Sequence, residues 1–122
     1  MTEAGQHAVA IVDDDYAVLD SLRFLLEVAG YSTETFASAA AFLQASTQHF
    51  CCLILDHHMP QMTGLELAGR LRADGADIPI MLVTGSPSPE IVARASEFGI
   101  EQVLEKPPSE EDLIRFINAS RS

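Results

Sequence analysis

Three apolar runs punctuate the chain, and each ends on a polar group. Ala8-Val9-Ala10-Ile11-Val12 runs into Asp13-Asp14-Asp15, Cys52-Leu53-Ile54-Leu55 runs into Asp56, and Ile78-Pro79-Ile80-Met81-Leu82-Val83 runs into Thr84-Gly85. Runs without polar alternation read as strands covered on both faces, the habit of central strands in a parallel sheet. Between them the spacing turns helical. From about Tyr16, residues Val18, Leu22, Leu25, Leu26 and Ala29 share one face, and Gly30 supplies the stop. Ser38 to about Ser46 opens with a capping serine on an Ala-rich stretch carrying Phe42 and Leu43. Leu65 to about Ala73 places Leu67, Ala68 and Leu71 at helical spacing before the breaker Asp74-Gly75. Pro89, as a first helical residue, opens a helix to about Phe98 that Gly99 stops. Ser109-Glu110-Glu111-Asp112 opens a last helix bearing Leu113, Ile114 and Ile117, with its acids at the positive end of the dipole. Ser32 to Phe36 reads as a weaker strand near an edge, and Ile100 to Glu105 as a short one broken by Lys106-Pro107-Pro108. Five strands alternating with five helices, without repeat or linker, predict an α/β fold: a doubly wound, five-stranded parallel sheet in a single domain over residues 1–122.

Composition narrows the partners more than the fold. At 122 residues, 48% hydrophobic and 20% charged, the chain has the make-up of an ordinary globular domain with its own core. Seven Lys and Arg against 18 Asp and Glu give a formal net charge of −11, which disfavours nucleic acid or an anionic membrane as a direct partner. Cations and basic protein surfaces suit it better. The adjacent pair Cys51-Cys52 leads into a buried strand, which argues for inert apolar packing over a disulfide framework and for a reducing compartment. The polar start, the short run to Val12 and the lack of any span of about 18 apolar residues predict a soluble cytoplasmic protein with no membrane role.

The candidate chemistry collects at strand ends. Asp13 and Asp14 follow the first strand, Asp56 the third, Thr84 the fourth and Lys106 the fifth. In an open α/β sheet the carboxyl ends of the strands are where ligands bind. If the first and third strands are neighbours, three carboxylates converge, and two like charges about 4 Å apart repel by roughly 4 kcal/mol at an effective dielectric of about 20. Something positive must offset them. An all-oxygen donor set suits a hard divalent ion, Mg2+ or alternatively Mn2+, that leaves room for phosphate oxygens. Lys106 adds a second cation and Thr84 a hydroxyl, so the set fits acceptance of a phosphoryl group better than storage of a metal.

These residues, with the loop Asp56-His57-His58-Met59-Pro60-Gln61-Met62-Thr63-Gly64, resemble a two-component response regulator receiver domain of the CheY-like superfamily over essentially the whole chain. The resemblance implies the flavodoxin-like (βα)5 fold with strand order 2-1-3-4-5. It implies a phosphoacceptor switch and not a metabolic enzyme. Asp56 would receive a phosphoryl group from the phosphohistidine of a sensor histidine kinase or phosphotransfer protein. Mg2+ would be held by Asp14, Asp56 and the backbone carbonyl of His58, with Asp13 acting through bound water, while Lys106 and Thr84 hold the phosphoryl oxygens. Output would pass through the surface of the fourth helix, fifth strand and fifth helix to a partner or an output domain, with homodimerisation on phosphorylation as one route. Gly85 would leave space beside the phosphoryl group.

Some positions depart from the family pattern. An aromatic switch residue commonly stands three places before the lysine, where this chain has Val103, and Pro108 replaces a usual Phe. Ser86-Pro87-Ser88-Pro89 makes a stiff approach to the fourth helix. Tyr31 and Phe98 read as core or edge residues, His7 and His49 as solvated, and Asp15 as a helix cap. His57 and His58, adjacent in an extended loop, should point apart, with His58 beside the acidic pocket and no shared metal site. Two other classes compete. A haloacid-dehalogenase-type phosphatase also forms an aspartyl phosphate, but it carries its nucleophile in an Asp-x-Asp pair on the first strand, whereas here the paired acids come first and Asp56-His57-His58 lacks the second acid. The other alternative is a phosphorylation-independent interaction module on the same scaffold. The chain ends at Ser122 just after the last helix, and a DNA-binding output would need a further segment.

Overall fold

The computed structural model describes residues 8–45, 47–100 and 102–121. Among them, strands β1 (Ala8–Val12), β2 (Thr33–Phe36), β3 (Phe50–Asp56), β4 (Ile80–Thr84) and β5 (Gln102–Glu105) alternate with helices α1 (Tyr16–Val28), α2 (Ala39–Leu43), α3 (Gly64–Ala73), α4 (Pro89–Glu97) and α5 (Glu110–Arg121). All strand pairs are parallel, in the order β2-β1-β3-β4-β5. The three apolar runs are the three central strands, and every residue of β1, β3 and β4 is buried. Alternation along them divides the core into two layers. Ala10, Val12, Leu53, Leu55 and Leu82 meet α2, α3 and α4 through Phe42, Leu67, Ala68 and Ala95. Val9, Ile11, Ile54, Met81 and Val83 meet α1 and α5 through Leu19, Leu26, Leu113 and Ile117. No helix of the described residues is long and apolar enough to cross a membrane.

The caps follow the sequence closely. Asp15 caps α1 by accepting from the Ala17 amide, Ser38 caps α2 and Ser88 caps α4, with Pro89 in its first turn. Element ends shift where backbone chemistry intervenes. β4 begins at Ile80 and not at Ile78, because Pro79 has no N–H for the ladder; its carbonyl instead accepts from Leu53 at 2.9 Å. α2 stops at Leu43, short of the expected Ser46, which lies outside the described residues. There the Gln44 and Ala45 amides fold back on Ala41 and Phe42 at 3.3 and 2.9 Å, and a 3-10 turn, Thr47–His49, follows. β5 starts at Gln102, since the Ile100 amide closes the α4 turn on Ala95 at 3.0 Å and Glu101 lies outside the described residues.

Several side chains read as core, edge or solvated residues tie elements together. Tyr31 donates its hydroxyl to Asn118 at 2.8 Å, linking the β2 approach to α5. Phe98 packs so closely on α3 that a Cβ on Gly69 would come within 3.0 Å of its ring. His49 is not simply solvated: it contacts Glu34 at 3.2 Å and lies against Phe50 with ring centroids 4.3 Å apart. His7 lies outside the described residues.

Arg72 in the last turn of α3 is the least expected staple. Its Nε donates to the Phe98 carbonyl at 2.7 Å and its Nη1 to the Ala76 and Ile78 carbonyls at 3.0 and 2.9 Å. One guanidinium thereby satisfies the end of α4 and the run into β4. Arg72→Ala should lower unfolding free energy by about 2–3 kcal/mol, because three half-buried carbonyls lose their donor. Arg72→Lys should recover only part, since an ammonium lacks the planar fork. Urea unfolding measures both, and an unchanged midpoint in Arg72→Ala would contradict the assignment.

Candidate functional site

Strand order reverses between β1 and β3, so the loops leaving their carboxyl ends diverge and open a crevice there. Asp13 follows β1 and Asp56 closes β3, paired across to Val83. Both are only 3% exposed, while Asp14 between them and solvent is exposed. Carboxylate oxygens of Asp13, Asp14 and Asp56 all lie within 4.8 Å of one another, the only such group of three or more metal-ligating side chains among the described residues. Lys106 reaches in from the end of β5. Its Nζ stands 2.9 Å from Asp13 Oδ2 and 2.9 Å from Asp56 Oδ1.

The two contacts differ in kind. Toward Asp13 the ammonium donates a formed hydrogen bond, whereas Asp56 Oδ1, buried, has ionic contact without an aligned donor. Asp13 is further engaged through Oδ1, which accepts from the Asp15 amide at 2.9 Å. Asp56 is therefore the under-satisfied member. Burial raises its pKa above the ordinary carboxylate value; Lys106 pulls it down, and the Asp13 and Asp14 charges push it up again. Burial works against the Lys106 charge, but its close contacts with the Asp13 and Asp56 carboxylates outweigh it and hold its pKa above the usual lysine value.

The loop after β3 is shaped by contacts that spacing alone does not reveal. The His57 carbonyl accepts from both Met59 and Gly64, at 3.1 and 2.9 Å, folding the loop tightly, and Gln61 takes the left-handed conformation at φ 73°. Gly64 is needed for close approach and not for turn geometry: a Cβ there would lie 2.5 Å from the Asp56 carbonyl oxygen and 2.9 Å from His57 Cα. Thr63 and Glu66 complete a capping box that fixes the start of α3 against this strand end. The histidines do not point apart as expected. Their rings meet edge-on with centroids 4.9 Å apart, because the tight fold turns both to one side. They still occupy different environments. His57 is buried, takes a long 3.4 Å contact from the Leu65 amide at Nδ1, and has its pKa lowered by burial, then by His58 and Arg94. His58 is exposed and lines the acidic recess, as does the exposed ring of Tyr16, whose position there the sequence reading missed.

Thr84 sits at the end of β4, fully buried, with its hydroxyl accepting from the Ser86 amide at 3.1 Å. Its backbone carbonyl accepts from the Lys106 amide at 3.0 Å, so β4 and β5 deliver Thr84 and Lys106 in fixed register. The hydroxyl faces its own loop and not the recess. Gly85 does line the recess, and a Cβ there would meet no protein atom. Behind the carboxylates the site continues under α1 into a mainly apolar cavity of about 430 Å³, bordered by Leu22, Leu25, Pro107 and Pro108.

Paired acids, a strand-end acid and a strand-end lysine at the switch point of a 2-1-3-4-5 sheet define a receiver-type signalling domain. The chain belongs to the response regulator receiver domain family, whose profile matches residues 9–118. It is 38% identical over 113 residues to the response regulator protein TodT of Pseudomonas putida, covering 92% of this chain and 50% of TodT. It is 36% identical over 121 residues to the transcriptional regulatory protein FixJ of Bradyrhizobium diazoefficiens, covering 98% of this chain and 58% of FixJ. The crystal structure of FixJ-N superposes with a TM-score of 0.85 at 30% identity, covering 98% of this chain and 94% of that one. The chain thus spans about half the length of the curated relatives it matches.

The electrostatics predict a stability effect with a definite sign. Because the Asp56 pKa is raised on folding, the folded chain takes up that proton at higher pH than the unfolded chain. The associated stability is complete below the unfolded value of 3.8 and is lost as pH rises through the folded value. At neutral pH without divalent ions, Asp56→Asn should therefore be more stable than wild type by about 1 kcal/mol or more, a fraction of the roughly 4 kcal/mol that like charges about 4 Å apart cost at a dielectric of about 20. The advantage should fade in acid. Thermal unfolding from pH 3 to 8 reads it, and a variant less stable than wild type at neutral pH would refute it.

Proposed function

We propose that this chain is a phosphoacceptor switch in which the Asp56 carboxylate receives a phosphoryl group from the phosphohistidine of a sensor histidine kinase or phosphotransfer protein. The observation that carries the reading is the arrangement of Asp13, Asp14 and Asp56 about Lys106, with Asp56 Oδ1 buried and lacking an aligned donor. A carboxylate in that condition seeks a positive partner. The all-oxygen set fits Mg2+, or Mn2+ in its place, with Asp14, Asp56 and the His58 backbone carbonyl as ligands. Asp13 is better suited to a role through water, because both its oxygens are already engaged by Asp15 and Lys106. When bound, the ion would neutralise charge on the phosphoryl oxygens and the acceptor.

The transfer balances simply. One Asp56 oxygen forms a P–O bond as the P–N bond of the donor breaks, and the imidazole leaves with the electron pair. The attacking group is the Asp56 carboxylate itself, so the transfer calls for no separate base. Lys106, released from part of its contact with Asp56, supports the incoming oxygens. The Thr84 hydroxyl must turn from the Ser86 amide to reach them, and that turn would loosen the loop into α4. Output then passes through α4, β5 and α5 to a partner or output domain, with homodimerisation as one form. Val103, half-buried on β5, occupies the place of an aromatic switch, so the signal rests on the Thr84 loop itself. This reading treats residues 1–122 as one receiver domain in the cytoplasm, with no direct contact to nucleic acid or membrane.

The test is intact mass after incubation with acetyl phosphate or phosphoramidate, with and without Mg2+. Wild type should gain one phosphoryl group only with Mg2+, Asp56→Asn none, and Lys106→Ala a yield reduced at least about tenfold, the loss of one charge-stabilising group. No adduct in wild type, together with no stable beryllofluoride complex, would contradict the switch and leave an interaction module acting by contact alone.

A further inference from the structure

β3 breaks regular pairing at one place, and the break joins two thiols. Successive side chains of a strand face opposite sides of the sheet, so adjacent cysteines are ordinarily separated by the strand itself. Here Ala8 pairs with Phe50 and Val9 with Cys52, which leaves Cys51 as the extra residue of a β-bulge. The extra residue resets the alternation. Phe50 packs in the layer of α2 and α3, whereas Cys51 and Cys52 both pack with Ile54, Leu113 and Phe116 against α5. Their sulfurs lie 3.7 Å apart. Cys52 is fully enclosed, and Cys51 keeps 9% of its surface at the edge of the layer. The pair stands before the run that ends in Asp56, away from the acidic recess.

We propose that Cys51 and Cys52 form a bidentate thiolate site for a soft, low-coordinate thiophilic centre, with Cu(I) and trivalent arsenic as the two candidate sources of that chemistry. The span fits. Two sulfurs each about 2.3 Å from one three-coordinate centre, at angles of about 100–120°, lie about 3.5–4.0 Å apart, with the third position left to hydroxide on arsenic or to an exogenous ligand on Cu(I). A four-ligand ion such as Zn2+ is poorly matched, because among the described residues no His, Asp or Glu joins the pair to make a group of three. Local electrostatics assist. The Cys51 thiol is pushed down, first by its hydrogen-bond contact with Cys52 and also by Arg121, against the effect of burial; Cys52 is pushed up by that contact and by its own burial.

Binding changes no oxidation state. With Cu(I), two S–Cu bonds form and the thiol protons go to water. With arsenious acid, two As–O bonds break, two As–S bonds form, and two waters leave carrying the thiol protons. Core packing alone, the reading the sequence favours, predicts neither event in the folded chain.

The test titrates the reduced, folded chain anaerobically, in one arm with Cu(I) buffered by a competing chelator and in the other with arsenite, reading native mass and circular dichroism. Wild type should take up one centre per chain while keeping its fold. Cys51→Ser and Cys52→Ala should each weaken uptake by at least about 100-fold, the loss of the chelate's second arm. Cys51→Ala at the layer edge serves as a third variant if the buried substitution at Cys52 prevents folding. Uptake of either centre alone supports the site and identifies its source. No uptake by folded wild type, uptake only after unfolding in urea, or full affinity retained in either Cys51 variant overturns it.

Discussion

One ammonium shared between two buried carboxylates sets the terms for the rest of this structure. Lys106 stands 2.9 Å from both Asp13 and Asp56, and it arrives there because β5 delivers it in register with Thr84. A single positive charge cannot balance three carboxylates held within 4.8 Å. The apolar layers on both sides of the sheet prevent the strand ends from spreading to relieve the repulsion, so the imbalance is built in. It leaves the crevice receptive to added positive charge. The same crowding explains why Gly64 must lack a side chain: the start of α3 closes against the Asp56 peptide at a distance no Cβ would tolerate.

Much of this is legible in the chain because burial on both faces erases polar alternation, and each strand then ends visibly where a polar residue breaks an apolar run. Asp13, Asp56, Thr84 and Lys106 announce themselves that way, and the alternation of strands with helical spacing fixes the α/β class. Strand order is carried by the family resemblance and not by the pattern itself. Residues whose roles depend on what lies across a gap stay hidden. Arg72 looks like a surface cation in a last helical turn, yet it serves three carbonyls from other segments. Gly64 looks like a turn glycine. His57 and His58 look divergent until the doubly accepted His57 carbonyl folds the loop and brings their rings together.

The bulge at Cys51 illustrates the limit most clearly. Adjacent cysteines before an apolar run carry no signal beyond packing, because a period of two places them on opposite faces. A one-residue offset in pairing with β1 reverses that, and nothing in the local sequence marks it. The strand that ends in Asp56 thus carries a second, chemically soft feature upstream of it, made by register and not by motif.

The central claim is that the charge imbalance at Asp56 is completed by a divalent cation. Isothermal titration of Mg2+ into the chain tests it most directly, alongside Asp14→Asn and Asp56→Asn. One ion per chain should bind wild type, and each substitution should remove that binding while the fold persists. Binding of equal strength in both variants, or no binding to wild type, would contradict the account.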